Sequence, residues 1–285
     1  RIECDKFSTP DKPRFVAGDV GPTNKTCSMS PDVSNPAARE ITYDELFTDV
    51  CEQVDGLIEG GADVILIETI FDTLNCKAMI DAALTMMKKH GVELPVMISL
   101  TVSDLAGRTL SGQTVDAFLA SLSPYPIFSV GMNCAFGAPQ MKPFIEHMAQ
   151  VAPYYISAHP NAGLPNEMGE YDETAESMAP QIAEFIDEGI VNIIGGCCGT
   201  SPEFIAHYAR IAEGKKPHQV VEKPKYMWLS GLDLLQVDDS VHLPVDASRF
   251  VNVGERCNVA GSRKFLRLIN EKNYEEAIGI ARKQV

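Results

Sequence analysis

Positive charge is scarce in this sequence of 285 residues, where 24 Lys and Arg stand against 39 Asp and Glu and leave a net charge of −15. This balance argues against nucleic acid and anionic membranes as partners, because both attract basic surfaces. No apolar run reaches the roughly 18 residues of a membrane helix, and the stretch VILIETIF is interrupted by Glu68. Eight cysteines are too few for a disulfide framework.

The amino terminus lacks two further features. RIECDKFSTPDKP contains neither the basic-then-apolar pattern of a secretory signal nor an initiator Met. We therefore expect a cytoplasmic location and interpret the sequence as a fragment of a longer chain. A prior of about 150 residues per domain allows one large or two medium domains, and 45% hydrophobic residues suffice for a buried core.

Short β-branched runs alternate with loops and amphipathic helices along most of the chain. The runs are apolar nearly throughout, which is typical of parallel strands covered on both faces. One helix is predicted over about 42–59, where Thr42 and Glu45 form a capping box; others follow Asp72 and Ser201. The predicted strands are 14–20, 63–69, 95–102, 127–133, 154–158 and 190–196.

This alternation predicts an α/β fold, either doubly wound or closed as a (β/α)8 TIM-type barrel. No G-x-G-x-x-G motif follows a strand, so a dinucleotide-binding version has no support. Polar sequences such as GPTN, HPNAG and GGCCGT follow successive strands, at the carboxyl ends where both architectures bind ligands. We favour the barrel.

The character of the sequence changes after six strand–helix units. We assign residues 1–225 to the barrel and residues 226–248, which have no sustained periodicity, to a linker. Residues 249–285 are interpreted as the start of a second domain, with a strand at 249–254 followed by a helical pattern.

Three cysteines lie at strand ends. Cys134 follows the fourth strand, and Cys197 and Cys198 follow the sixth, within GGCCGT. The carboxyl ends of parallel strands share one rim, and the flanking glycines permit both adjacent sulfurs to face one point. Three thiolates suit zinc and leave a position open for reaction. The alternative is that the adjacent pair is buried or forms a vicinal disulfide, with Cys134 unrelated.

The charge of such a centre restricts its chemistry. Zinc with three thiolates is electron-rich and polarises carbonyl groups poorly, but it can bind a further thiol as a nucleophilic thiolate near neutral pH. The expected reaction is S-alkylation of a substrate thiol. The remaining cysteines have no partners at ligand spacing and are interpreted as buried or incidental: Cys4, Cys27, Cys51, Cys76 and Cys257.

Longer motifs carry a resemblance. GGCCGTSPEFI, NCAFG and HPNAGLPNEMGEYDET resemble the zinc-dependent homocysteine S-methyltransferase family. GPTNKT, GGADVILIETIFDTLNCKA, GRTLSGQT and FVNVGERCNVAGSRKF are most similar to its cobalamin-dependent methionine synthases. The resemblance implies a homocysteine-binding barrel whose first two strands lie upstream, followed by the beginning of a pterin-binding barrel.

The same resemblance implies residue roles in the first barrel. Cys134, Cys197 and Cys198 match the zinc ligands, and Glu68 matches the carboxylate that receives the homocysteine α-ammonium group. A carboxylate paired with a neighbouring barrel residue is the alternative for Glu68. Asn161 is expected as a neutral fourth zinc ligand in the absence of substrate, or else as a turn-forming residue in its Gly/Pro-rich loop.

The downstream segment is implied to bind folate. Gly261, Ser262 and Arg263 open a helix, where backbone N–H groups, a hydroxyl and a guanidinium suit the polar parts of a pterin. Ordinary helix capping by Ser262 is equally compatible with the sequence. The implied partners are homocysteine, 5-methyltetrahydrofolate and a cobalamin module of the same full-length protein, which would hold the methylcobalamin cofactor outside this chain.

Three functions follow for comparison. In the first, a zinc-bound homocysteine thiolate takes a methyl group from methylcobalamin to give methionine. In the second, a single-barrel enzyme uses betaine or S-methylmethionine as the methyl donor. In the third, the zinc site is closed and only structural. Residues 249–285 favour the first, because only that type is expected to continue into a second barrel.

Overall fold

The computed structural model describes residues 1–223, 227–237 and 254–284. The chain divides into two compact units, Arg1–Gln236 and Val237–Val285. The strands of the first unit are β1 Ala17–Val20, β2 Val64–Ile70, β3 Val96–Leu100, β4 Ser129–Asn133, β5 Tyr155–His159, β6 Ile193–Ile194, β7 Met227–Ser230 and β8 Leu234–Val237, the last of which ends at the first residue of the second unit. Its helices are α1 Ile2–Phe7, α2 Tyr43–Glu59, α3 Thr73–His90, α4 Val115–Leu122, α5 Ala138–Val151, α6 Ala175–Asp187 and α7 Pro202–Ala212.

A curled, parallel six-stranded sheet forms the centre of the first unit. Its strands β1 to β6 lie in the order in which they occur along the chain, and each pairs in parallel with the next. A doubly wound sheet would reverse its strand order at a switch point, and the described strands have no such reversal. The six predicted strands and the barrel-type succession are confirmed, and the sheet amounts to part of a TIM-type barrel.

Burial explains why these segments form strands. Every residue of β3 and β4 is buried, as expected for strands covered by helices on one side and by barrel interior on the other. The helix α2 packs on this sheet through Leu46, Val50 and Val54. It begins at the predicted capping box, in which the Thr42 side chain accepts from the Glu45 N–H. These features fix the strand ends that carry the polar loops.

Strand β2 contains one irregularity near its carboxyl end. Its register with β3 runs from Ile67 opposite Ile98 to Ile70 opposite Leu100, so β2 contains one extra residue there. Thr69 within this bulge has a φ of 55°, a left-handed conformation that is rare for a β-branched residue. Bulges of this kind re-aim side chains next to functional sites.

Residues 227–237 lie within the predicted linker but form the β7–β8 hairpin. The hairpin is bound to the loop between β3 and α4: Gln113 Nε2 donates to Gly231 O at 2.7 Å, and Thr114 N donates to Leu232 O at 2.9 Å. Ser230 Oγ also donates to the Ala117 carbonyl at 2.6 Å. Because each strand has only four residues and is held by tertiary hydrogen bonds, no periodicity in the sequence reveals the hairpin.

The second unit contains two short helices, α8 Arg263–Asn270 and α9 Tyr274–Arg282. The predicted helical pattern is thus interrupted at Lys272, which has a φ of 56°, and α9 restarts with Asn273 as its N-cap. The predicted strand at 249–254 lies outside the described residues apart from Gly254. Within the described ranges, no helix has the length and apolar character needed to cross a membrane.

Candidate active site

The three cysteines predicted from their positions after strands come together at one rim of the sheet. Cys134 directly follows β4, and Cys197 and Cys198 follow β6 after two glycines. The Cys134 and Cys198 Sγ atoms are 3.7 Å apart, and those of Cys197 and Cys198 are 4.0 Å apart. All three sulfurs lie within 4.8 Å of one another. The adjacent pair is therefore two free thiols and not a vicinal disulfide.

The sulfur separations fit a single zinc ion. Tetrahedral zinc with Zn–S bonds of about 2.3 Å places its sulfur ligands about 3.8 Å apart, close to the observed distances of 3.7 and 4.0 Å. Three thiolates leave one tetrahedral position for another ligand. Cys198 is exposed, so the cluster is accessible from solvent at this residue.

Backbone geometry aims the sulfurs at a common point. Cys134 and Ala135 both have φ values of 58°, an arrangement that turns the chain sharply at the end of β4. Left-handed non-glycine residues cost about 1–3 kcal/mol each and cluster at functional sites. Across the rim, Gly199 has a φ of 78°, and a Cβ atom there would lie 2.5 Å from Tyr171 Cβ. Only glycine is accommodated at this turn of the cysteine loop.

Asn161 supports the loop that carries the adjacent cysteines. Its side chain is buried, and its Oδ1 accepts from the Cys198 backbone N–H at 3.1 Å. The Ala162 N–H donates to the Cys198 carbonyl at 2.9 Å. The amide oxygen thus orders Cys198 through its backbone, and its role as a fourth metal ligand stays a prediction.

Burial opposes ionisation of the Cys197 thiol. It raises the pKa of the Cys197 thiol to about 12, and the proximity of Cys134 and Cys198 adds to the increase. Three thiolates in this space repel one another unless a cation balances their charge. Burial and contact with Cys198 also raise the pKa of Tyr171. The donor set is therefore suited to a divalent cation.

Glu68 lies in the β2 bulge and faces the same rim. Its Oε2 accepts from Asn133 Nδ2 at 2.7 Å and from the Thr69 hydroxyl. Both donors are neutral, and within the described ranges Glu68 takes part in no ion pair. Glu68 thus has hydrogen-bond partners among neighbouring barrel residues, as the alternative of a structural carboxylate expects. These partners do not neutralise its negative charge, which is therefore available to bind a cationic group.

Sequence reasoning missed Asp19, which lies beside Glu68. A methyl group placed on Gly21 would be 3.3 Å from Glu68 Oε1 and 4.0 Å from Asp19 Oδ2. Burial and the charge of Glu68 raise the pKa of Asp19. The only available signal was its position in β1, two residues before the polar GPTN sequence. Two carboxylates thus face one region of the rim.

Asn133, the last residue of β4, is the second residue that sequence reasoning missed. It is buried and hydrogen-bonds to Glu68, Thr69 and Ser99. His159 ends the neighbouring strand β5, and burial lowers its pKa to about 4, so it is neutral at physiological pH. It is not one of the residues that form the thiol cluster.

The residues predicted to bind pterin belong to the second unit. Ser262 is the N-cap of α8, and its Oγ accepts from the Phe265 N–H at 3.3 Å. Gly261 precedes it, and Arg263 is the exposed first residue of the helix. The helix begins where predicted, with Ser262 in a capping role that leaves its pterin contact a prediction.

Comparison with known proteins gives one family match and structural matches to one methyltransferase. Residues 1–212 match the family model for homocysteine S-methyltransferase. The apo form of the homocysteine methyltransferase MmuM from Escherichia coli superimposes with a TM-score of 0.52 at 20% identity, covering 70% of this chain and 64% of that one. For the metallated form of MmuM, the TM-score is 0.52 at 19% identity, with 70% and 62% covered. The chain thus spans less than two thirds of these relatives' length, and at such identity the likeness establishes the fold alone.

Proposed function

The chain belongs to the homocysteine S-methyltransferase family, and we propose that it provides the homocysteine-binding part of a cobalamin-dependent methionine synthase. The substrate thiol would bind at the three-cysteine cluster and become methylated to methionine. The observation that carries this proposal is the convergence of three sulfurs within 4.8 Å at a rim that two carboxylates also face.

Cys134, Cys197 and Cys198 are the residues that would hold zinc. When bound, zinc supplies a positive charge that keeps a coordinated thiol deprotonated near neutral pH while its sulfur stays nucleophilic. The metallated state of the structurally similar MmuM agrees with a metal in this fold. Burial raises the pKa of Cys197, and the charges of Cys134 and Cys198 add to the increase, which gives a physical reason why these side chains require a cation.

Glu68 and Asp19 select the other end of the substrate. Homocysteine carries an α-ammonium group, and two carboxylates near the rim provide charge-assisted acceptors for it. Fixing the ammonium group restricts the positions available to the substrate sulfur, which raises its effective concentration at the methyl donor. In the transfer, a sulfur–carbon bond forms, the bond between the methyl group and its donor breaks, and the thiol proton leaves to solvent.

The identity of the methyl donor depends on the second unit. The proposal assigns 5-methyltetrahydrofolate to a site that includes Gly261, Ser262 and Arg263, and methylcobalamin to a module outside this chain. Two observations support this assignment. The motif FVNVGERCNVAGSRKF resembles cobalamin-dependent methionine synthases, and α8 begins at Arg263, within this motif. The family match ends at residue 212, so it applies equally to a single-barrel enzyme that uses betaine or S-methylmethionine.

Zinc-edge absorption spectroscopy tests the acceptor site. We expect three sulfur ligands in the zinc-loaded chain and four after homocysteine is added; an unchanged sulfur count at saturation would contradict thiol activation. Product formation is then compared with methylcobalamin, betaine and S-methylmethionine as donors, using the full-length protein. Turnover with methylcobalamin and with neither other donor supports the proposal. Turnover with betaine or S-methylmethionine supports the single-barrel alternative. A zinc ion with four protein ligands and no turnover with any donor supports a structural role.

A further inference from the structure

We infer that Asn133 is a positioning residue that couples the carboxylate of the substrate-ammonium site to the metal-binding thiols. This inference rests on the proposed function and assigns a role to a residue that neither binds the metal nor receives the substrate ammonium. Asn133 lies at the end of β4, directly before Cys134, and is 3% exposed.

The orientation of the Asn133 amide follows from its partners. The Thr69 backbone N–H can only donate, so the Asn133 atom 2.9 Å from it must be the carbonyl Oδ1. The Ser99 hydroxyl donates to the same oxygen at 2.7 Å. The NH2 group is therefore forced to the opposite side, toward the rim.

The NH2 group contacts both halves of the site. Asn133 Nδ2 donates to Glu68 Oε2 at 2.7 Å and to Thr69 Oγ1 at 2.6 Å. The same nitrogen is 3.7 Å from Cys197 Sγ. The NH2 group has two hydrogens for these three acceptors. One hydrogen shared by Glu68 Oε2 and Thr69 Oγ1, which are hydrogen-bonded to each other, leaves the second for the sulfur. The group is thus placed to stabilise negative charge on the carboxylate and on the sulfur, because hydrogen bonds to charged acceptors are the strong ones.

Asn133 also stabilises the backbone that presents Glu68. Thr69 is held in a left-handed conformation, with a φ of 55°, and its N–H is satisfied by Asn133 Oδ1. Without this acceptor the bulge would lose a hydrogen bond at a strained residue, and Glu68 would no longer be fixed. One amide therefore determines both the direction of Glu68 and the environment of Cys197.

Asn133→Asp is the informative substitution, since it preserves shape and the acceptor for Thr69 but replaces the NH2 donor by a carboxylate oxygen, which repels the negative charges of Glu68 and Cys197 instead of stabilising them. Residues of this kind around metal ligands affect metal affinity by about 10- to 100-fold. We expect zinc affinity, measured by competition with a chromophoric chelator, to fall by at least about 10-fold. Calorimetric homocysteine affinity of the zinc-loaded chain should fall by a similar factor.

Ser99→Ala is the matched control. Ser99 is 1% exposed and bonds to the same amide from its carbonyl side, so its loss disturbs the core but leaves the NH2 contacts in place. Both affinities should stay within about twofold of the unsubstituted chain, well below the change expected for the NH2 donor. Equal effects of the two substitutions would overturn the inference, because Asn133 would then act only through the core.

Measurements on the unsubstituted chain distinguish failure of the proposed function from failure of the inference on Asn133. If it binds zinc but no homocysteine, the proposed function fails; if it binds both and Asn133→Asp binds both equally well, only the inference on Asn133 fails. Should Asn133→Asp not fold, the exchange Glu68→Gln with Asn133→Asp preserves a carboxylate–amide pair. We expect this exchange to restore folding with zinc affinity still at least about 10-fold reduced, since no donor then faces Cys197. Wild-type zinc affinity in the exchange variant would overturn the inference.

Discussion

Replacing Glu68 by Gln separates substrate binding from metal binding at this rim. The substitution removes the negative charge but preserves an oxygen that can accept from Asn133 Nδ2, now 2.7 Å from Glu68 Oε2, and from the Thr69 hydroxyl. We therefore expect the free energy of unfolding to change by no more than about 1 kcal/mol, the worth of one ordinary hydrogen bond. Zinc content should stay stoichiometric, because Glu68 is not one of the clustered thiols.

The affinity for homocysteine should decrease far more than the free energy of unfolding. A hydrogen bond to a charged group contributes about 1.5–3 kcal/mol, which corresponds to a rise in Kd of roughly 10- to 150-fold. Titration calorimetry on the zinc-loaded chain measures this Kd, and elemental analysis of the same sample measures zinc. Glu167→Gln removes the same charge from an exposed residue of the loop after β5, and should leave Kd unchanged. Loss of zinc in Glu68→Gln would show a structural carboxylate, and an unchanged Kd would refute its contact with the ammonium group.

Three further predictions concern the rim. Replacing Cys197 and Cys198 together by Ala removes two of the three sulfurs, and we expect dialysed protein to contain no zinc by elemental analysis; full occupancy would refute the metal assignment. Burial and the charge of Glu68 raise the pKa of Asp19 from 3.8, so the folded chain holds this proton more tightly than the unfolded chain. The free energy of unfolding of the metal-free chain should therefore fall as pH rises through the raised pKa. Asp19→Asn should remove this fall in denaturant titrations at a series of pH values above 3.8, and identical profiles would contradict it. Gly199→Ala combines a left-handed φ of 78° with a 2.5 Å approach to Tyr171 and should destabilise the metal-free chain by about 2–4 kcal/mol in the same titrations; an unchanged midpoint would show that the loop relaxes.

The parallel strands and the thiol cluster were predictable because each depends on a local pattern. Buried parallel strands are continuous apolar runs, so six of them could be placed from the pattern of apolar residues along the chain. Once the strands were ordered, Cys134 and Cys198 had to share a rim, since parallel strands end at the same edge. Capping residues such as Thr42 carry their own signal, and α2 begins where that signal lies.

The residues that surround the cluster were not predictable in the same way. Asn133 and Asp19 contact residues on other strands, and these contacts depend on the bulge in β2. A glycine in the sequence would have indicated a left-handed residue at the bulge, but the residue there is Thr69. The β7–β8 hairpin was not predictable for a related reason. Its hydrogen bonds to the loop before α4 stabilise it, and its sequence has no periodic pattern of apolar residues. Propensity is local, whereas these features depend on tertiary contacts.

The origin of the sulfurs from separate strands has a consequence for the unfolded chain. A metal ion held by Cys134 and Cys198 would join two residues 64 positions apart, and so close a loop that contains α5, β5, α6 and β6. Closing a loop of that size lowers the conformational entropy of the unfolded chain by an amount equivalent to about 4 kcal/mol. The ion would then act as a reversible cross-link, and resistance of the segment 135–197 to proteolysis should rise and fall with metal content.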